Sequence, residues 1–239
     1  MILAVLQARM SSTRLPGKVL ADLCGAPMIA RQIERVRRAE RIDRLVVATS
    51  EEPADDPLAA LVETLGVPVF RGSLTDVLGR FAGAVAAFGP AEHVVRLTAD
   101  CPLADPAVID AVIARHLETG ADYTSNVLEH RTFPVGLDAE VIRAGALAEA
   151  AAEATDPHDH EHVTPFLYRQ PHRYRLAGLT QTADEGEVRW TVDCPDDLAF
   201  VRAVYDALYP ADPDFTSDAV RAFVLGRSDL RTQGGDRRV

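Results

Sequence analysis

The chain has 239 residues, 47% of them hydrophobic, and sets 25 Lys and Arg against 36 Asp and Glu for a formal net charge of −11. That composition excludes a disordered chain and disfavours a broad nucleic-acid footprint, because phosphate backbones attract clustered positive charge, yet it leaves room for one small anionic ligand held by a local basic cluster. Cys24, Cys101 and Cys194 form an odd, widely spaced set with no CxxC pair, which argues against a disulfide framework or structural zinc, and no apolar run approaches membrane-spanning length.

The opening residues 1–6 lack the basic region and cleavage site of a secretory signal and read as a strand, so a cytoplasmic protein without a membrane partner is expected. Buried strands are predicted over 2–6, 45–48, 67–70 and 93–97, with Pro27 opening a helix that carries Ile29, Ile33 and Val36 on one face. Helices are predicted over 57–65, 76–88 and 105–117. Repeated strand–helix units of this length predict an α/β fold: a doubly wound, mostly parallel, Rossmann-like sheet with right-handed crossovers. Residues 1–226 are expected to form one domain. Within it, roughly 127–187 mixes short extended pieces near 137–142 and 174–179 with helices near 144–154 and 161–168. This reads as an α+β insertion that lids the site or forms a subunit contact. A strand over 188–192 and a helix over 195–208 resume the pattern, and the tail after residue 226 is expected to fray.

The loop at residues 7–18, QARMSSTRLPGK, follows the first strand. In an open α/β sheet the carboxyl edge beside a topological switch is where ligands bind. Arg9, Arg14 and Lys18, with Ser11, Ser12, Thr13 and backbone N–H groups among them, are the donors a polyphosphate needs, and Pro16-Gly17 turns Lys18 back toward it. Three basic residues alone are equally consistent with a solvated loop. The segment is neither a Walker A loop nor a GxGxxG fingerprint. Asp100, in Thr98-Ala99-Asp100-Cys101-Pro102, and Asp193, in Thr191-Val192-Asp193-Cys194-Pro195, each follow a predicted strand. Each carboxylate is either a turn residue or a ligand for a hard cation, and as a pair they suit metal-assisted attack on a nucleotide phosphate. Asp196 and Asp197 are accounted for by capping and the helix dipole.

The loop with Val19-Leu20 resembles the QARxxSTRLPGKxL signature of the CMP-sugar-acid synthetase superfamily, which includes the acylneuraminate and 3-deoxy-octulosonate cytidylyltransferases. Residues 47–50, 70–78, 96–103, 161–165 and 189–198 follow in order, and the likeness is strongest to the spore-coat polysaccharide cytidylyltransferase branch. The resemblance implies an Mg²⁺-dependent enzyme that transfers CMP from CTP to a sugar acid. It assigns Arg14, Lys18 and Asp100 to catalysis, and Arg14 and Lys18 to the triphosphate. Ala8, Arg9, Ser12, Thr98 and Asp100 are expected beside the nucleotide, and Ala48, Thr49, Ser50 and Arg71 around its base and ribose. Asp100 and Asp193 are the implied magnesium ligands, and a homodimer joined through the inserted region is implied. Ala99 stands where the family often has glycine.

His158, His160 and His162 alternate with acidic residues. Helical spacing leaves His160 off the face shared by the other two, so solvated helix-start residues are expected ahead of acceptor contacts, and a transition-metal site last. Glu161 and His162 fall in a family-like block and are read as acceptor-binding. Arg131 is read as an insertion-loop cation suited to an acceptor carboxylate, and Trp190 as core. The alternatives are another nucleoside triphosphate or a phosphonate acceptor on the same fold, or a nucleotide-binding scaffold subunit.

Overall fold

The computed structural model describes residues 1–128 and 130–239; Glu129, inside the expected insertion, lies outside the described residues. In chain order the elements are β1 (Ile2–Gln7), β2 (Asp22–Leu23), β3 (Ala26–Pro27), α1 (Met28–Val36), β4 (Arg44–Ser50), α2 (Asp56–Thr64), β5 (Val69–Gly72), α3 (Val77–Phe88), β6 (His93–Thr98) and α4 (Pro106–Thr119). They continue with β7 (Tyr123–Ser125), β8 (Glu140–Arg143), α5 (Ala144–Glu153), α6 (Pro157–His162), α7 (Pro165–Tyr168), β9 (Leu176–Gly178), α8 (Pro195–Leu208), α9 (Ser217–Leu225), β10 (Thr232–Gln233) and β11 (Asp236–Arg237).

The described residues build a seven-stranded sheet in the order β5-β4-β1-β6-β8-β7-β9. The first four of these strands are mutually parallel, while β8 runs antiparallel to β6 and β7. Alternation along β1 sends Ala4 and Leu6 into one core with α1, α2, α4, α8 and α9, and Leu3 and Val5 into the other with α3, α5 and α7. After β1 the chain adds β4 and β5 on one side, then returns to place β6 on the other. The topological switch therefore falls between β1 and β6.

Three expectations need correction. The expected insertion is woven into the main sheet, since β8 pairs with β6 and β9 with β7. Residues 188–192 are extended but join no sheet strand. The Val192 N–H and the Thr191 hydroxyl reach the Asp100 carbonyl at 2.7 and 3.0 Å, while the Trp190 and Thr191 N–H groups donate to Val135 O at 2.7 and 3.0 Å beside a single bridge at Arg189. Gly136 permits that approach: its φ is 111°, and a Cβ there would lie 2.7 Å from the Thr191 nitrogen. The tail does not fray. β10 and β11 pair as a hairpin, and Arg238 is fully buried, its guanidinium donating to the buried Asp197 carboxylate in the first turn of α8. No helix among the described residues is long and apolar enough to cross a membrane.

Candidate active site

A cleft of about 380 Å³ opens at the carboxyl ends of β1 and β6, lined among others by Arg9, Ser12, Arg14, Lys18, Asp100 and Asp193. Its loop is built by backbone bonds: the N–H groups of Ser12 and Gly17 both reach the Met10 carbonyl, at 2.9 and 3.0 Å. Gly17, at φ 72°, then enters a one-turn 3₁₀ helix over Lys18–Leu20, a left-handed corner that favours glycine. That corner turns Lys18 inward and buries it, while Arg9 and Arg14 remain exposed.

The Lys18 ammonium stands between the two strand-end carboxylates. It lies 3.0 Å from Asp193 Oδ1 and 3.4 Å from Asp100 Oδ2, and donates to the Val192 carbonyl at 2.6 Å. The other Asp100 oxygen accepts from the Thr98 hydroxyl at 2.6 Å and from the Cys101 thiol at 3.5 Å. Burial, then the Asp100 charge, pushes the Cys101 thiol well up, so it stays protonated and inert as a nucleophile. Asp193 also meets Arg14 Nη2 at 3.0 Å and Arg189 Nη2 at 2.6 Å. Burial acts to raise the Asp193 carboxyl, but hydrogen bonds from Arg189 and Lys18 outweigh it and hold the group below the ordinary carboxylate range. Two carboxylates thus converge on one cation, and their oxygens are donors that a hard divalent cation could take. Among the described residues no group of three or more His, Cys, Asp or Glu side chains could hold a metal by itself. Phosphate oxygens would therefore have to complete the shell.

The other expected nucleotide residues divide between the cleft wall and the core behind it. Ala8 and Thr98 line it, as does Ala99, whose N–H donates to Gln7 O at 2.8 Å. Ala48, Thr49 and Ser50 are fully buried and do not line it. The Ala48 carbonyl accepts from Ala8 N–H at 3.1 Å, and the Thr49 and Ser50 hydroxyls grip Asp55 Oδ2. Asp55 Oδ1 accepts the Met10 N–H at 2.7 Å, so this buried carboxylate fastens the loop to β4. Nothing in the sequence distinguishes Asp55 from the adjacent Asp56. Arg71 reaches Ser50 O at 2.9 Å, Glu52 O at 3.0 Å and Asp56 at 2.6 Å, bracing the turn after β4 rather than lining the cleft.

The acceptor expectations divide. His162, at the end of α6, lines the cleft, whereas Glu161 is exposed and does not. Arg131 makes a bidentate pair with Asp138 at 2.5 and 2.9 Å and does not line the cleft. The chain leaves α6 through Val163, a buried residue at φ 72°, a strained conformation for a β-branched side chain that aims the helix end at the cleft. His158 and His162 meet with 4.4 Å between ring centroids and their planes tilted by 48°, and His160 bonds elsewhere. Its Nδ1 is 2.7 Å from Asp76 Oδ1 and its Nε2 3.0 Å from Ala154 O. Both ring nitrogens face acceptors, so protonation of this histidine clamps α6 to the start of α3. Trp190 is core, as expected.

The family profile described as Cytidylyltransferase matches residues 3–202. The spore coat polysaccharide biosynthesis protein SpsF of Bacillus subtilis (strain 168) is 36% identical over 211 residues, covering 85% of this chain and 86% of that protein. The 3-deoxy-manno-octulosonate cytidylyltransferase of Anaeromyxobacter sp. (strain K) is 28% identical, covering 86% of this chain and 98% of the relative. Among solved structures, a cytidylyltransferase from Leptospira borgpetersenii superposes with a TM-score of 0.88 at 26% identity, covering 94% of each chain.

Proposed function

The chain belongs to the cytidylyltransferase family, and from that membership we propose that it transfers CMP from CTP to a sugar acid of surface-polysaccharide or glycoconjugate synthesis, with magnesium held by Asp100 and Asp193. The observation that carries the reading is the Lys18 ammonium between those two carboxylates, with Arg14 beside it, in a cleft at the sheet's switch point. Magnesium bound there would supply Lewis-acid stabilisation of phosphate charge. A hydroxyl oxygen of the acceptor bonds to the α-phosphorus in line, its proton passing to solvent water, as the bond to the bridging oxygen breaks and pyrophosphate leaves with that electron pair. Arg14 and Lys18 offset charge on the phosphate oxygens, and His162 contacts the acceptor.

The same reading includes a homodimer joined through residues 127–187, working in the cytoplasm, with no nucleic-acid or membrane partner; light scattering of the purified chain checks the dimer. The deciding experiment incubates the protein with each of the four nucleoside triphosphates, magnesium and a panel of acceptors. The panel holds sialic-, pseudaminic- and octulosonate-type acids and a phosphonate. Expected is a CMP conjugate by mass, with pyrophosphate, from CTP and a sugar acid alone. Pyrophosphate from a different triphosphate overturns the donor, and a phosphonate conjugate overturns the acceptor. A chain that binds CTP without turnover of any acceptor is a scaffold. Asp100→Asn should abolish turnover with the fold retained, and near-normal activity of that variant at low magnesium would remove the assigned role.

A further inference from the structure

Asp193 is aimed from behind by a buried carboxylate. Asp197 is fully buried at the start of α8, and its Oδ2 accepts the backbone N–H groups of Asp193 at 2.8 Å and Cys194 at 3.0 Å. Arg189 adds a side-chain brace, its Nη2 lying 2.6 Å from Asp193 Oδ2 and 3.2 Å from Asp197 Oδ2. Backbone and side chain of Asp193 therefore both depend on where Asp197 sits. The other Asp197 oxygen accepts from Arg238 Nη2 at 2.8 Å, and this arginine, fully buried, comes from the far end of the chain.

The segment that delivers Arg238 is specifically seated. Arg238 also donates to Arg189 O at 2.7 Å and Gln233 O at 3.1 Å, and its guanidinium lies 5.0 Å from the Phe200 ring centroid. In return the Trp190 indole N–H donates to Arg238 O at 2.9 Å, and Arg189 N–H to Arg237 O at 2.8 Å. A guanidinium removed from water is tolerated only where it is paired and hydrogen-bonded. Here its partner is the residue whose remaining oxygen fixes the Asp193 backbone.

We propose that Arg238 is a positioning residue for the reaction, acting through Asp197 on Asp193, and that β10–β11 is a strap belonging to the active site. The family match ends at residue 202, so the strap lies outside it. The inference rests on the reading of Asp193 as a ligand of the metal–nucleotide. Residues that orient a metal ligand typically carry about 10–100-fold in metal affinity or activity when they are replaced.

The test uses the full chain with Arg238→Met and Arg238→Lys, the lysine variant serving should the methionine variant not fold. Mn²⁺ binding is read by electron paramagnetic resonance with CTP present and no acceptor, beside kcat, both KM values and the thermal midpoint. Expected is a rise of roughly tenfold or more in the Mn²⁺ dissociation constant and a comparable fall in kcat for Arg238→Met. The acceptor KM should stay within about twofold, and Arg238→Lys should fall between, since it keeps the charge without the planar fork. A variant that melts earlier but binds Mn²⁺·CTP as wild type does overturns the strap and leaves the functional reading intact. Wild-type protein that binds no Mn²⁺·CTP overturns the functional reading, and this inference with it.

Discussion

Lys18→Met isolates the charge at the centre of the cleft, because it keeps most of the apolar stem and deletes the ammonium. The lysine side chain is 10% exposed, against 16% for Asp193 and 31% for Asp100, so water reaches the vacated position only in part. The Val192 carbonyl loses a charged donor at 2.6 Å, a loss of about 1.5–3 kcal/mol. Asp193 keeps Arg14 and Arg189, but among the described residues Asp100 loses its one cation within ion-pair distance. Two carboxylates then face each other for roughly another 1 kcal/mol once water has entered. The expected total is about 3 kcal/mol, or a midpoint lowered by about 6–12 °C for a chain of this size. Magnesium should reverse part of it. An ion at ten times its dissociation constant contributes about 1.4 kcal/mol, and the variant offers it a site that Lys18 holds in the wild type. The assay is thermal unfolding of both proteins without nucleotide, with and without millimolar magnesium. CTP turnover should fall about 10²–10³-fold. The reasoning is refuted if Lys18→Met melts with the wild type, or if magnesium raises both midpoints equally.

Asp55→Ala leaves the Met10 and Ser50 N–H groups and two buried hydroxyls without their acceptor, an expected loss of about 3 kcal/mol with a raised KM for CTP; a normal KM would detach Asp55 from the loop. The hydrogen bond to Asp76, then that to Ala154 O, raises the pKa of His160 above its ordinary value. Its clamp is therefore complete below about pH 6.5 and lost as pH rises through the raised folded value, so urea midpoints should fall across that range in wild type and stay flatter in His160→Gln. Burial first, then the His93 charge, lowers His116 to about 4. Its neutral ring, hydrogen-bonded to His93 at 3.0 Å and Thr124 at 2.9 Å, contributes stability above about pH 6.5 that is lost as pH falls toward 4, up to about 3 kcal/mol. His116→Gln should show a shallower acid loss, and identical acid curves would contradict that account.

Local chemistry made much of this molecule legible from its residues. Apolar strands alternating with amphipathic helices specify the parallel half of the sheet, because burying both faces of a strand demands that pattern wherever it occurs. The basic loop after β1 and the aspartates at 100 and 193 stand out in the sequence by residue type, and the fold gathers them around one cleft. What each side chain does with its charge was decided by residues far away in the chain. Arg131 reads in the sequence as an acceptor cation, and the fold pairs it with Asp138; Thr49 and Ser50 hold Asp55 and do not line the cleft. The run before Asp193 joins no strand of the main sheet, and its last N–H, from Val192, donates to the Asp100 carbonyl, which brings two carboxylates 93 positions apart onto one lysine. The tail, polar and glycine-bearing, has the composition of a fraying end, yet a buried Asp197 gives Arg238 an ion pair worth folding for. Hydrophobic periodicity repeats every few residues and can be read locally. The pairing of a buried charge depends on which distant partner the fold delivers, and only the folded chain specifies that.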